Sequence, residues 1–130
     1  MHPGRDNQKE PFTMPYIDGM LAAVRTEDKA KFIEYARQTA DVFKRCGATA
    51  VVENWGDEVP DGELTSMPMA VKCEPGETVV FSWIIWPDKE THHAGWEKVM
   101  ADPLMQMDDN PMPFDGKRMI YGRFETILDV

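Results

Sequence analysis

The chain has 130 residues and a formal net charge of -9, which suits one domain with a sizeable core. Its 42% hydrophobic and 28% charged residues are ordinary for a soluble globular domain, and the acidic balance argues against a nucleic-acid partner. No apolar run approaches the roughly 20 residues of a membrane span, and the N-terminus lacks the apolar core of a signal peptide. These features predict a cytoplasmic protein without a membrane partner.

The two cysteines agree with that location. Cys46 and Cys73 form no CxxC pair, so we expect two free thiols in a reducing compartment. A structural disulfide between them is the alternative.

The first half of the chain predicts an arm, a strand, a helix and a second strand. Residues 1–14 are polar and are predicted to be an N-terminal arm, and residues 15–130 to be the folded domain. Alternating side chains predict a strand over 16–24. Thr26 is a candidate N-cap for a helix that runs to about Cys46 and stops at Gly47.

The second half continues with strands over about 48–55, 78–86 and 117–128. The stretch 56–76 is rich in Pro and Gly, and we expect either a functional loop or a short extra strand near 69–72. A second helix is predicted to begin after Asp88 and to end at Asp102-Pro103.

This order of elements, βαββαβ, predicts an α+β fold of the ferredoxin-like type, with an antiparallel sheet and both helices on one face. The segment 79–86, VVFSWIIW, is apolar on nearly both faces, although two helices can cover only one. We therefore predict a homodimer through the open sheet face.

Alternation along the strands divides the sheet into two predicted faces. The face with small and apolar side chains is expected to lie under the helices: Ile17, Gly19, Leu21, Ala50, Val52, Ile120, Gly122 and Phe124. The face with charged side chains is expected to meet the partner around a polar cavity: Tyr16, Asp18, Met20, Thr49, Val51, Glu53, Trp55, Met119, Tyr121, Arg123 and Glu125.

From about residue 14 to 130 the chain resembles the YbaA-like family of small uncharacterised bacterial proteins. The matching blocks are YIDG at 16–19, VENWGD at 52–57, VPDG at 59–62, TVVFSW at 78–83, WP at 86–87, AGW at 94–96, VMADP at 99–103 and PFDGKRMIYG at 113–122. The resemblance implies a dimeric α+β barrel, in which two ferredoxin-like subunits press their sheets together. Proteins of similar fold include small monooxygenases, muconolactone-isomerase-like enzymes and stress-responsive proteins, which is an analogy of fold alone.

Four residues on the charged face are candidates for catalysis: Asp18, Glu53, Tyr121 and Arg123. Arg123 would bind an anionic or carbonyl oxygen, and Asp18 or Glu53, with a pKa raised by apolar surroundings, would accept a proton. Four further residues are candidates for contacting the ligand: Tyr16, Trp55, Trp83 and Glu125. The alternative is a structural ion-pair network at the dimer interface.

Other polar clusters favour structural roles. His92 and His93 are expected on a solvated helix face, and the pair His93 and Glu97 lacks a second half for a metal site, so no metal is predicted. The methionines at 100, 105, 107 and 112 could form an adaptable lid over a pocket, although core packing or a dimer arm is the favoured interpretation.

The sequence thus predicts a small protein that binds or converts a small organic molecule in the cavity of a dimeric α+β barrel, without a cofactor. The chemistry would at most be of the monooxygenase or isomerase type. The alternative is a non-catalytic dimer that binds a small molecule or serves in a stress response. A third possibility is a purely structural dimer in a larger assembly.

Overall fold

The computed structural model describes residues 14–106, 108 and 110–130. Its helices and strands are β1 (Tyr16–Arg25), a 3₁₀ turn (Thr26–Asp28), α1 (Lys29–Arg45), β2 (Ala50–Trp55), α2 (Met67–Ala70), β3 (Glu77–Trp86), α3 (Lys89–Ala101), a second 3₁₀ turn (Pro103–Met105) and β4 (Ile120–Glu125). The predicted arm over 1–14 lies outside the described residues except for Met14, so the domain boundary stays a prediction.

Within the described residues the sheet has four strands in the order β2-β3-β1-β4, and all neighbours are antiparallel. This is the ferredoxin-like arrangement, so the predicted fold is confirmed. The sheet is open and does not close into a barrel within one chain. On the central strand β1, Gly19 lies opposite Trp83 of β3 and Gly122 of β4.

Local signals explain most of the helix ends. The Asp88 carboxylate accepts a hydrogen bond from the Thr91 N–H and caps α3, as predicted. Gly47 adopts a φ of +123°, which suits glycine and ends α1. Thr26 does not cap a helix. Its hydroxyl pairs with the Thr78 hydroxyl at 2.7 Å, and α1 begins three residues later.

The two long helices pack on the face of the sheet that carries Asp18, so our assignment of the two faces is wrong. The core joins Tyr16, Ile84 and Trp86 of the sheet to Val42 and Phe43 of α1, and Val99 of α3 completes it. Asp18 is compatible with burial on this face because Trp86, His92 and Trp96 form hydrogen bonds with it, whereas Glu53 and Arg123 of the same face are exposed. The sequence signal misled because we treated polar side chains as evidence against helix packing.

The opposite face is the apolar one. One end of it is covered by the segment after α2, where Val71 packs on Ala23 and Val79. The rest carries large apolar side chains that are partly or well exposed: Ile17, Leu21, Val52, Phe81, Trp83, Ile85, Ile120 and Phe124. We call these eight residues the open face.

Two features of the segments between the strands were not predicted: a short helix and a pair of hydrogen bonds between Arg118 and Glu77. Residues 67–70 form the short helix α2, capped by the Ser66 hydroxyl, where an extra strand was the alternative prediction. The Arg118 guanidinium donates two hydrogen bonds of 2.8 Å to the Glu77 carboxylate, which holds the segment before β4 against the start of β3. This bond lowers the pKa of Glu77 to about 2.

Among the described residues, no helix combines the length and apolarity that crossing a membrane requires. Cys46 and Cys73 are both free thiols, so the disulfide alternative is excluded.

Candidate functional site

Asp18 lies in the middle of the sheet and is the most heavily hydrogen-bonded carboxylate of the helix-covered face. Its Oδ2 accepts bonds of 2.9 Å from the indole N–H groups of Trp86 and Trp96, and its Oδ1 lies 2.9 Å from His92 Nε2. Only 2% of Asp18 is exposed, and none of His92 or Trp86. A buried carboxylate needs such donors, since each lost partner would leave a polar atom away from water.

The three donors come from two elements that meet above β1. Trp86 is the last residue of β3, while His92 and Trp96 are four residues apart on α3 and therefore share one side of that helix. Gly95 makes this approach possible. A Cβ at Gly95 would lie 2.4 Å from the Trp86 ring and 2.6 Å from the Cys46 carbonyl oxygen, closer than packed atoms come.

A hydrogen bond between His92 and His93 extends this cluster to the protein surface. His92 Nδ1 lies 2.8 Å from His93 Nδ1, so one of these two nitrogens donates to the other. His92 is buried, whereas His93 is exposed. Desolvation lowers the pKa of His92, while the hydrogen bond with Asp18 opposes that shift.

The tautomers follow from these contacts when both rings are neutral. His92 uses its Nε2–H to donate to Asp18, so its Nδ1 is an acceptor. His93 must then donate its Nδ1–H to His92, and its own Nε2 keeps a lone pair. The arrangement orients His93 as a base, in the way a buried carboxylate orients the histidine of a hydrolase triad.

His93 lies on the wall of a pocket of about 660 Å³ between α3, β1 and β4. We call it the His93 pocket. Its lining is Asp18, Met20, His92, His93, Trp96, Glu97, Met100, Met119, Tyr121 and Arg123. Three of the predicted catalytic residues, Asp18, Tyr121 and Arg123, are therefore brought together.

Arg123 lies opposite Asp18 on the neighbouring strand. Within the described ranges its side chain makes no hydrogen bond or ion pair, and it is exposed. Its positive charge also acts on His92, where it contributes to lowering the pKa. The guanidinium is thus available to an anionic or carbonyl oxygen in the pocket.

The remaining predicted site residues lie elsewhere. Tyr16 and Glu125 line a neighbouring groove of about 630 Å³, and His93 touches the Tyr16 ring edge-on at 5.9 Å. Trp55 packs beside Phe32. Trp83 belongs to the open face, on the other side of the sheet from Asp18.

Glu53 belongs to a second cavity, beneath α1. It accepts a hydrogen bond from the Ser82 hydroxyl. Although the residue as a whole is exposed, desolvation of the carboxyl raises its pKa, while the bond from Ser82 lowers it. The raised pKa that we predicted is present, but Glu53 does not share a pocket with Arg123.

The sequence prediction missed the contribution of α3. We expected His92 and His93 on a solvated helix face, and for His92 that is wrong. The available signal was the spacing of His92, Gly95 and Trp96 on one side of a helix that follows a strand ending in Trp86. For a metal, the described residues hold no group of three or more His, Cys, Asp or Glu side chains that are suitably placed.

The fold and this site define a ferredoxin-like α+β domain with a buried carboxylate–histidine cluster. A family described as protein of unknown function (DUF1428) matches residues 15–116, and the chain belongs to that family.

Curated relatives agree with this assignment. The uncharacterised protein YbaA of Escherichia coli K12 is 50% identical over 116 residues, which are 89% of this chain and 99% of that protein. YbaA of Shigella flexneri matches with the same identity and coverage.

A solved structure supports the fold. The crystal structure of a dimeric ferredoxin-like protein from an uncultured marine organism superimposes with a TM-score of 0.57 and 13% identity. The match covers 90% of this chain and 99% of that one. At this identity the likeness concerns the fold alone.

Proposed function

We propose that the protein binds a small organic molecule with a carbonyl or carboxylate group in the His93 pocket and transfers a proton on it without a cofactor. The observation that carries the proposal is the hydrogen-bonded series from Asp18 through His92 to His93. The series ends at the wall of the pocket that Arg123 also lines. Arg123 has no hydrogen-bond or ion-pair partner among the described residues.

Arg123 supplies the binding and electrostatic half of this chemistry. Its guanidinium would hold the substrate oxygen and stabilise negative charge that develops there. The apolar part of the substrate would lie against Met20, Met100 and Met119, whose flexible side chains adapt to different shapes.

His93 supplies the proton transfer. Its Nε2 would accept the proton from the carbon next to the carbonyl group, and the electron pair of that C–H bond would move onto the oxygen beside Arg123. Returning the proton to another carbon gives an isomer, so the step needs no oxidant or reductant. His92 and Asp18, of which 0% and 2% are exposed, act as positioning residues, because they orient His93, the group that receives the proton.

The homodimer through the open face is part of the proposal. Its large apolar side chains include Phe81, Ile120 and Phe124, which are 42%, 44% and 58% exposed. Apolar patches of this kind mark interaction surfaces, and a sheet face is best covered by a second sheet. The dimeric ferredoxin-like protein of the same fold supports a second copy as the occupant.

A cytoplasmic location also belongs to the proposal. It is supported by the free thiols of Cys46 and Cys73, which are usual in a reducing compartment.

The binding step is tested by a thermal-shift screen of small keto acids, carboxylates and lactones. We compare wild type with Arg123→Met and with Arg37→Met, a control that removes an exposed cation of α1. Compounds that raise the melting temperature of wild type and of the control are expected to lose that effect in Arg123→Met. A library in which no member distinguishes Arg123→Met from the control contradicts the proposal.

The chemical step is tested on the same compounds in D₂O by proton NMR. Wild type is expected to exchange the proton next to the carbonyl group. His93→Gln is expected to bind the compound but to exchange the proton at least about a hundredfold more slowly, since a hundredfold is the lower end of the usual range for a general base. If wild type binds the compounds without exchanging the proton, the protein is a non-catalytic binding protein and the proposed proton transfer is wrong.

The dimer is tested by sedimentation of wild type, Phe124→Asp and Ile33→Asp. Ile33 is a matched control because it is 45% exposed but lies on α1, away from the open face. We expect wild type and Ile33→Asp to be dimers and Phe124→Asp to be a monomer of 14.9 kDa. A wild-type monomer at micromolar concentration contradicts the proposal.

A further inference from the structure

A second cavity lies on the other side of Met20, Trp96 and Met119 from the His93 pocket, since these three residues line both. It occupies about 160 Å³ between α1, the sheet and the segment before β4. Because Glu53 is the one carboxylate among the described residues that line it, we call it the Glu53 cavity. None of the chemistry proposed for His93 uses it.

The walls of the Glu53 cavity are apolar and in part flexible. Ala22 and Ala36 leave space between sheet and helix, and Phe32 and Phe114 contribute aromatic surface. Met105 and Met112, which lie between α3 and β4, close the cavity. Methionine side chains repack readily around different ligands. Of the four methionines for which a lid was one prediction, Met105 and Met112 line this cavity and Met100 lines the His93 pocket, while Met107 lies outside the described residues.

Polar groups concentrate at one end. The buried Ser82 donates its hydroxyl proton to Glu53 Oε1, and Glu53 lies on the edge strand β2, where it is exposed. Thr39 also lines the cavity, but its hydroxyl donates to the Ala36 carbonyl oxygen. The cavity thus has an apolar interior and an acidic mouth.

Glu53 has unused capacity to accept hydrogen bonds. A carboxylate has about four acceptor positions, and among the described residues only the Ser82 hydroxyl fills one. Asp18, by comparison, has three donors. Because Glu53 is exposed at the mouth of the cavity, its remaining acceptor positions are open to a donor that a ligand brings. Desolvation raises the pKa of Glu53, as expected for a carboxyl group next to an apolar cavity.

We propose that the Glu53 cavity binds a single aromatic ring that carries one hydrogen-bond donor, with the ring between α1 and the sheet and the donor on the Glu53 carboxylate. The size fits, because an apolar cavity of about 150 Å³ is known to hold benzene. Phe32 and Phe114, whose rings are 5.9 Å apart and tilted by 57°, provide the aromatic contacts.

Phenol is the probe, and toluene is the control of similar shape without the donor. Protein labelled with ¹³C at the methionine methyl groups is titrated with each compound. Met105 and Met112 line the Glu53 cavity and not the His93 pocket, and Met100 lines the His93 pocket and not the Glu53 cavity. The exposed Met67 and Met69 on α2 are internal controls. Phenol is expected to shift the signals of Met105 and Met112 and to leave those of Met100, Met67 and Met69 unchanged.

Variants test the two ends of the cavity separately. Glu53→Gln is expected to weaken phenol binding about tenfold, because the amide oxygen still accepts the hydrogen bond but carries no charge, and to leave toluene binding unchanged. Ala36→Leu, which fills the interior, is expected to abolish binding of both. Ala30→Leu, at an exposed position of the same helix, is expected to leave both unchanged.

The contrary outcomes are distinct. Shifts of Met100 in place of Met105 and Met112 would place phenol in the His93 pocket and overturn the site. Equal affinity for phenol and toluene would overturn the role of Glu53. If Ala36→Leu does not fold, the methionine methyl shifts of wild type still show which cavity binds phenol.

Discussion

Asp18 and Glu53 lie on the same face of the same sheet, but their surroundings are opposite. Asp18 is on the central strand β1 and accepts hydrogen bonds from Trp86, Trp96 and His92, so that its charge is compensated by fixed donors. Glu53 is on the edge strand β2, and the one hydrogen-bond donor that reaches it among the described residues is the Ser82 hydroxyl. The first carboxylate is part of the framework, and the second has acceptor positions left over.

The difference shows why a carboxylate on a sheet face cannot be assigned a role from its strand position alone. The helix packed above decides which donors reach it. Over Asp18, α3 places a histidine and an indole. Over Glu53, α1 presents Phe32, Tyr35 and Ala36, and the pKa of Tyr35 is itself raised by burial. Fixed donors favour a positioning role, whereas unfilled acceptor positions favour contact with a ligand.

The largest effect is expected from removing the framework carboxylate. Asp18→Ala leaves the N–H groups of His92 and Trp86 buried without an acceptor, and we expect the free energy of unfolding to fall by about 3 kcal/mol or more. Glu53→Ala, at an exposed side chain, is expected to change it by about 0.5 kcal/mol or less. Urea denaturation at one protein concentration measures both.

Asp18→Asn is the control for shape. The amide keeps one acceptor for the two indoles and can donate to His92 Nε2 once that ring changes its tautomer. Its loss of stability is therefore expected to be smaller than that of Asp18→Ala. Equal losses in Asp18→Ala and Glu53→Ala would remove the distinction between the two carboxylates.

The sequence predicted the fold well and the site only in part. The order of strands and helices follows from alternation and from residues such as Asp88 and Gly47, because these signals are local. The assignment of the faces failed because it depends on contacts distant in sequence. Asp18 is acceptable under the helices only because Trp86, His92 and Trp96 meet it there, and their meeting depends on the absence of a side chain at Gly95.

The contributions of His92, beside Asp18, and of Glu53 to the free energy of unfolding are also expected to change with pH in opposite directions. Burial lowers its pKa from 6.5, so between the lowered value and 6.5 the unfolded chain binds more protons than the folded one. This contribution to stability is present above pH 6.5 and is lost as the pH falls through the lowered pKa. His92→Gln, which can still donate to Asp18, is expected to flatten the pH profile of unfolding in this window. An unchanged profile would show that His92 is not the group responsible.

Glu53 is expected to give the smallest effect, with the opposite sign. Its pKa is raised from 4.5, so above pH 4.5 and up to the raised value the folded chain binds more protons than the unfolded one, and stability falls as the pH rises through that window. Glu53→Gln abolishes this fall, so the variant is expected to be slightly more stable than wild type at pH 7 and equal to it below pH 4.5. Denaturation at pH 4 and at pH 7 measures the difference.

A variant less stable than wild type at pH 7 would mean that the bond from Ser82 outweighs the desolvation of the carboxylate. Glu53 would then belong to the framework, as Asp18 does, and would have no need of a donor from a ligand.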